Sequence, residues 1–194
     1  MIIDGCSAII LAGGHAQRMG QDKAMLLLDG HSLLQTVIAT MRLLFAQTLI
    51  SISQVRPEID APQICDSEAN AGPLSGLVTA LEKISTPWAF VVACDMPFIV
   101  PGLVEQLAKH RAQCQAVIPV VHGQLQPLAA FYSATCIPWL RASLSLGNKS
   151  LLGAIGNLKV CYVDETELVK VDPQLRSFFD LDTPQDFARA KQMT

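Results

Sequence analysis

The sequence predicts an α/β fold built on a mainly parallel sheet. Three observations carry this. The runs Ala8-Ile9-Ile10 and Trp88–Ala93 are continuously apolar, as strands covered on both faces are. The segments between the strand-like runs place apolar residues at helical spacing. The two kinds of segment alternate almost throughout. With 194 residues, 51% of them hydrophobic, the chain is expected to form one domain over 1–194 around a full core.

Ser7–Ala12 reads as the first strand. Ser32 is placed to cap a helix carrying Leu33, Leu34, Val37, Ile38, Met41, Leu44 and Phe45 on one face. Leu49–Ser53 is a second strand, and a short one ends near Gln63-Ile64-Cys65-Asp66. Pro73–Lys83 is a helix with Pro at its start. Trp88–Ala93 is the central strand, and Pro101–Lys109 the helix after it. Ala116–Val121 and Leu128–Tyr132 are strands, followed by helices near Thr135–Leu144 and Ser150–Ile155 and a late strand at Lys159–Val163. Thr183-Pro184-Gln185-Asp186 combines a cap residue, a Pro and an acid three positions on, so it opens a capped last helix.

Composition excludes several function classes. Net charge is −3 without a Lys/Arg block, so nucleic acid is not an expected partner. No apolar run has bilayer length, and the start Met-Ile-Ile-Asp-Gly-Cys lacks a secretory pattern, so neither a membrane nor export is expected. The six cysteines, at 6, 65, 94, 114, 136 and 161, are dispersed without a C-x-x-C pair. They read as thiols of a reducing, cytoplasmic compartment.

Chemistry concentrates in residues 11–23, Leu-Ala-Gly-Gly-His-Ala-Gln-Arg-Met-Gly-Gln-Asp-Lys. A strand running into Gly13-Gly14 offers backbone N–H groups without a Cβ in the way. Arg18 and Lys23 add two positive charges in the same loop. Together they form a polyphosphate site; the bland alternative is a tight turn with solvated cations. A Walker A loop is excluded because Gln21 follows Gly20, and a dinucleotide fingerprint because Gly13 and Gly14 are adjacent. His15 reads as a variable loop residue.

In open α/β sheets ligands bind outside the carboxyl ends of the strands, and Asp66 and Asp95 fall at two such ends. A carboxylate ending a buried apolar strand is costly unless a positive partner meets it. For Asp95 that partner is a Mg²⁺ bridging nucleotide phosphates, or Asp95 caps the turn before Pro97 or the helix that follows. Gly72-Pro73-Leu74-Ser75-Gly76 leaves room near a helix start, either for a flat ligand or for ordinary packing.

The pattern Leu-Ala-Gly-Gly, three residues, Arg-Met-Gly, one residue, Asp-Lys resembles the signature of the molybdenum cofactor guanylyltransferase family. All its specified positions are present. The resemblance runs from Ile9 to Phe187 and includes Cys94-Asp95-x-Pro97, similar to the family's metal-binding segment, and Gly72–Gly76, similar to the segment bordering guanine. It implies a Rossmann-like nucleotidyltransferase fold with helices on both faces. It also implies that GMP passes from GTP to molybdopterin with release of pyrophosphate, and that Mg²⁺ is the cofactor. Leu11, Ala12 and Gly13 then border base and ribose, Gly14 and Arg18 hold the leaving phosphates, and Lys23 neutralises charge on the α-phosphate. Asp66, Gly72 and Gly76 contact the nucleotide, and Asp95 holds the metal. Gln126–Ala130 resembles the edge of the acceptor pocket, and Lys149 reads as a solvated loop lysine or as a cation for the acceptor's phosphate. Partners beyond GTP and molybdopterin are transient contacts with molybdoenzyme maturation proteins, for a monomer or weak homo-oligomer. Alternatives from the residues are a cytidylyltransferase for the same pterin, a small sugar-phosphate nucleotidyltransferase, and a GTP-binding regulatory or chaperone-like module.

One departure stands out. The family's Asn-x-Asn-Thr-Pro-Glu is here Asp180-Leu181-Asp182-Thr183-Pro184-Gln185. Alternation points both carboxylates to one side, where they repel unless a cation intervenes. Either they share Mg²⁺ with Asp95, or Asp182 supports the last helix and Asp180 is solvated.

Overall fold

The computed structural model describes residues 1–13, 22–65 and 72–193. In chain order its strands are β1 (Cys6–Leu11), β2 (Leu27–Leu28), β3 (His31–Ser32), β4 (Thr48–Ile52), β5 (Gln63–Cys65), β6 (Trp88–Ala93), β7 (Ala116–Val121), β8 (Gln124–Leu125), β9 (Ala129–Ser133) and β10 (Val160–Asp164). Its α-helices are α1 (Leu33–Leu44), α2 (Pro73–Leu81), α3 (Pro101–Ala108), α4 (Ile137–Ser145), α5 (Leu151–Ile155), α6 (Glu165–Leu168) and α7 (Pro184–Ala190).

The main sheet has the order β10-β7-β9-β6-β1-β4-β5, with β8 paired to β7. β1 is parallel to both β4 and β6, and β4 to β5. β9 runs antiparallel to β6 and to β7, and the short β8 to β7, so among the described residues the expected mainly parallel sheet contains two reversed strands. One tight turn reverses the chain before both. β7 and β8 form a hairpin through His122-Gly123, both with positive φ, as a two-residue hairpin turn requires.

Alternation along each strand sends side chains to two cores. Ala8, Ile10, Phe90, Val92 and Phe131 face one side and meet α1 and α3. Ile9, Ala89, Val91, Ala130 and Tyr132 face the other and meet α2, α4 and α5. Burial on both faces is why β1 and β6 read as unbroken apolar runs. At about 25 cal/mol per Å² of apolar surface, each fully buried Leu, Ile or Phe here contributes roughly 1.5–3 kcal/mol against conformational entropy. The capping boxes hold: Ser32 pairs with Gln35 at the start of α1, and Thr183 with Asp186 at the start of α7. All six cysteines are free. Among the described residues no helix is long and apolar enough to cross a membrane.

This topology positions the site. β1, β4, β5 and β6 are mutually parallel, so their carboxyl ends share one edge. Residues 11–13, 53, 94 and 95 gather there because their strands end in register. The Ala12 N–H donates to the Ser51 carbonyl at 2.8 Å, and the Cys94 N–H to the Leu11 carbonyl at 3.1 Å.

Candidate active site

Leu11 ends β1, and Ala12 and Gly13 extend it past the sheet edge, with Ala12 buried and Gly13 exposed. A Cβ built on Gly13 would meet only the Ser53 backbone nitrogen, at 3.7 Å, an ordinary contact. The free protein therefore places no demand for glycine at this position. Gly14, Arg18 and Asp66 lie outside the described residues, as does His15.

The chain re-enters at Asp22. One carboxylate oxygen of Asp22 accepts from the Ala24 N–H at 3.0 Å, capping a 3₁₀ turn over Lys23–Met25. The other accepts from the Arg56 guanidinium. Arg56 is itself fixed: its backbone N–H donates to Gln63 Oε1 at 2.8 Å, and Gln63 Nε2 returns a bond to its carbonyl at 2.7 Å. Two connections from neighbouring strands are thus tied together immediately before Lys23.

Lys23 Nζ donates to Asp95 Oδ2 at 3.2 Å and to Asp182 Oδ1. The Lys23 and Asp95 side chains are only 18% and 17% exposed, and Asp182 is 49% exposed. Charges so far from water need each other, because an unpaired one would carry its whole desolvation cost. Burial alone would lower the Lys23 pKa. The hydrogen bond to Asp182 and the interaction with Asp95 outweigh it, and the ammonium is held above the ordinary lysine value.

Asp95 follows β6 directly. Its partner among the described residues is Lys23, and the turn is closed by the Met96 N–H on the Ala93 carbonyl at 3.4 Å. The turn-cap alternative for Asp95 is therefore not what its carboxylate does here. Asp182 corrects a second expectation. The α7 N-terminus is satisfied by Thr183 and Asp186, so Asp182 does not cap it and turns to Lys23 instead. The cation that Asp95 and Asp182 share is the Lys23 ammonium. Asp180 is exposed, yet partial desolvation and then the charges of Asp182 and Asp95 raise its carboxyl pKa.

Among the described residues no three His, Cys, Asp or Glu side chains form a metal-sized cluster. A protein cage for a cation is thus absent there. Asp95, with Asp182 beside it, can offer one or two carboxylates, the number Mg²⁺ takes when phosphates and water complete its octahedron. The donor set fits a metal that arrives with a nucleotide.

The helix-start glycines behave differently from each other. Gly72 has φ +83, and a Cβ on it would stand 3.0 Å from the Lys149 carbonyl oxygen and 3.3 Å from its Cβ. Room over Gly72 is therefore taken by the backbone of residue 149, whose side chain is exposed. Gly76 is buried within α2. The Gln126–Ala130 stretch lies at the same edge as Asp95: the Ala93 N–H donates to the Leu128 carbonyl at 3.1 Å, and the Tyr132 hydroxyl to the Pro127 carbonyl at 2.9 Å.

Arg56 and the Lys23–Asp182 contact were missed from sequence. Arg56 follows a parallel strand and lies at the functional edge, so the rule that found Asp95 applied to it equally. Nothing in local spacing links Lys23 to a residue 159 positions away.

Known proteins are similar to this chain over most of its length. A family profile described as "MobA-like NTP transferase domain" matches residues 8–159. A protein of Natranaerobius thermophilus named "Probable molybdenum cofactor guanylyltransferase" is 31% identical, over 97% of this chain and 96% of its own. One of the same name from Chloroflexus aggregans is 36% identical, over 93% and 90%. The crystal structure of molybdopterin-guanine dinucleotide biosynthesis protein A from Archaeoglobus fulgidus superimposes with a TM-score of 0.87, at 29% identity, covering 96% of this chain and 97% of that one.

Proposed function

The chain belongs to the MobA-like NTP transferase domain family, and on that premise we propose that it is a molybdenum cofactor guanylyltransferase. The terminal phosphate oxygen of molybdopterin attacks the α-phosphorus of GTP. A new P–O bond forms there as the bond to the β-phosphate's bridging oxygen breaks, and pyrophosphate leaves with that electron pair. The products are the guanine dinucleotide cofactor and pyrophosphate. The observation that carries this reading is the meeting of Gly13, Lys23 and Asp95 at one sheet edge, in a chain whose relatives bear that name over nearly their full length.

Such a transfer asks little covalent chemistry of the protein; it asks for position and for charge placed where charge develops. Leu11, Ala12 and Gly13 present backbone to base and ribose, with Asp66 as a further nucleotide contact. Gly14 and Arg18 take the β- and γ-phosphates. Lys23 neutralises the α-phosphate as it gains a fifth oxygen. An ammonium has three donors, and among the described residues Asp95 and Asp182 use two, so one serves a phosphate oxygen. Asp95 would hold Mg²⁺, which when bound supplies phosphate charge neutralisation. The reaction belongs to a reducing cytoplasm, where the six free thiols are stable.

Pyrophosphate release tests the reading directly. With Mg²⁺ and molybdopterin, GTP should give pyrophosphate and CTP far less. Faster release with CTP would move the protein to the cytidylyl branch. GTP binding without release from any nucleotide would make it a binding module.

A further inference from the structure

We infer that Asp182 is a positioning residue for Lys23, a second carboxylate on the ammonium beside Asp95 that fixes it so that its remaining N–H is presented to a phosphate oxygen. The inference rests on the assignment of Lys23 to the α-phosphate made above. A lysine has four rotatable bonds, and a single partner leaves its ammonium free to swing. Two carboxylates from separate elements fix it far better.

The segment carrying Asp182 is built as a fixed support. Leu181 is fully buried, packed with Leu28, Leu33 and Ala190. Its backbone N–H donates to the carbonyl of Asp95 at 3.1 Å. One residue further on, Thr183 and Asp186 exchange hydrogen bonds that satisfy the start of α7. Asp182 thus stands between two anchored neighbours, is not needed by the helix, and has Lys23 as its side-chain partner among the described residues. The Leu181 tether ends on Asp95 itself, so the backbones carrying the two carboxylates of the clamp are joined. Asn, the residue the family pattern places here, keeps an acceptor oxygen but brings no charge, so in this chain the hold on Lys23 is electrostatic as well as geometric.

A double-mutant cycle on the full chain tests this. Asp182→Ala should lower kcat about ten- to a hundredfold, the cost of a misplaced group, with little change in the KM for GTP. Asp182→Asn should recover part of the loss. In the Lys23→Ala background, Asp182→Ala should cost nothing further. An equal loss in both backgrounds, or a raised KM with kcat intact, would overturn the inference. A second readout does not depend on turnover: the NMR resonance of the Lys23 ammonium should move in Asp182→Ala and stay in place in the surface control Asp60→Ala. A moved resonance with no transfer by the wild type would keep the clamp and reject the reaction. An unmoved resonance would reject the clamp.

Discussion

Lys23 neutralises carboxylates before any phosphate arrives, and this dual duty sets what its removal should do. Lys23→Ala should lower turnover roughly a hundred- to a thousandfold, as loss of an oxyanion-type contact does. It should also destabilise the protein by about 1.5–3 kcal/mol, because Asp95 loses its charged partner. Turnover near the wild-type rate would refute the role. Asp95→Asn should behave differently. Lys23 keeps Asp182, so the fold should survive with little change in Tm, while Mg²⁺-dependent activity is lost. Full Mg²⁺-dependent activity in that variant would remove Asp95 from the metal. Both residues were legible in the sequence, since a cation ending a glycine loop and an acid ending an apolar strand each carry a local energetic signature. For Asp182 the sequence offered either a Mg²⁺ shared with Asp95 or support of the last helix, and not its ion pair with Lys23; only the tertiary fold shows that Thr183 and Asp186 fill the helix's need and leave Asp182 for Lys23.

Elements at the functional edge are joined by turns whose backbone is specific. Gly72 is the clearest case: it is left-handed and lies against the carbonyl of Lys149. Gly72→Ala should therefore destabilise the protein by more than about 1 kcal/mol, since a Cβ is unwelcome both in that conformation and in that space. An unchanged Tm would mean that the loop at 149 yields easily. Helix and strand positions were legible because burial on two faces leaves unbroken apolar runs and one-sided burial leaves helical spacing. α1 and β6 are examples. The direction of β9 was not, because hydrophobicity records burial and not polarity of the chain. Its local clue was His122-Gly123, a two-residue hairpin turn between Val121 and Gln124. The small β2–β3 hairpin likewise turns on Asp29-Gly30, both at positive φ, a signal of the same kind.

At the scale of the whole molecule, one geometric fact organises the rest. Parallel β1, β4, β5 and β6 deliver their carboxyl ends to a single edge, and residues far apart in sequence meet there. Among the described residues Asp95, Asp180 and Asp182 lie near one lysine, so in the proposed reaction the triphosphate is expected to arrive with a bound cation. Net charge over the whole sequence is −3, so the chain as a whole offers no excess of positive charge. The central claim is that the chain moves the α-phosphate of GTP, with its guanosine, onto the pterin phosphate. GTP labelled at the α-phosphorus, mixed with the protein, Mg²⁺ and molybdopterin, follows that atom. The label should appear in a pterin dinucleotide, in step with unlabelled pyrophosphate. Label that stays in GTP or emerges as free GMP, with no pterin adduct, would contradict it.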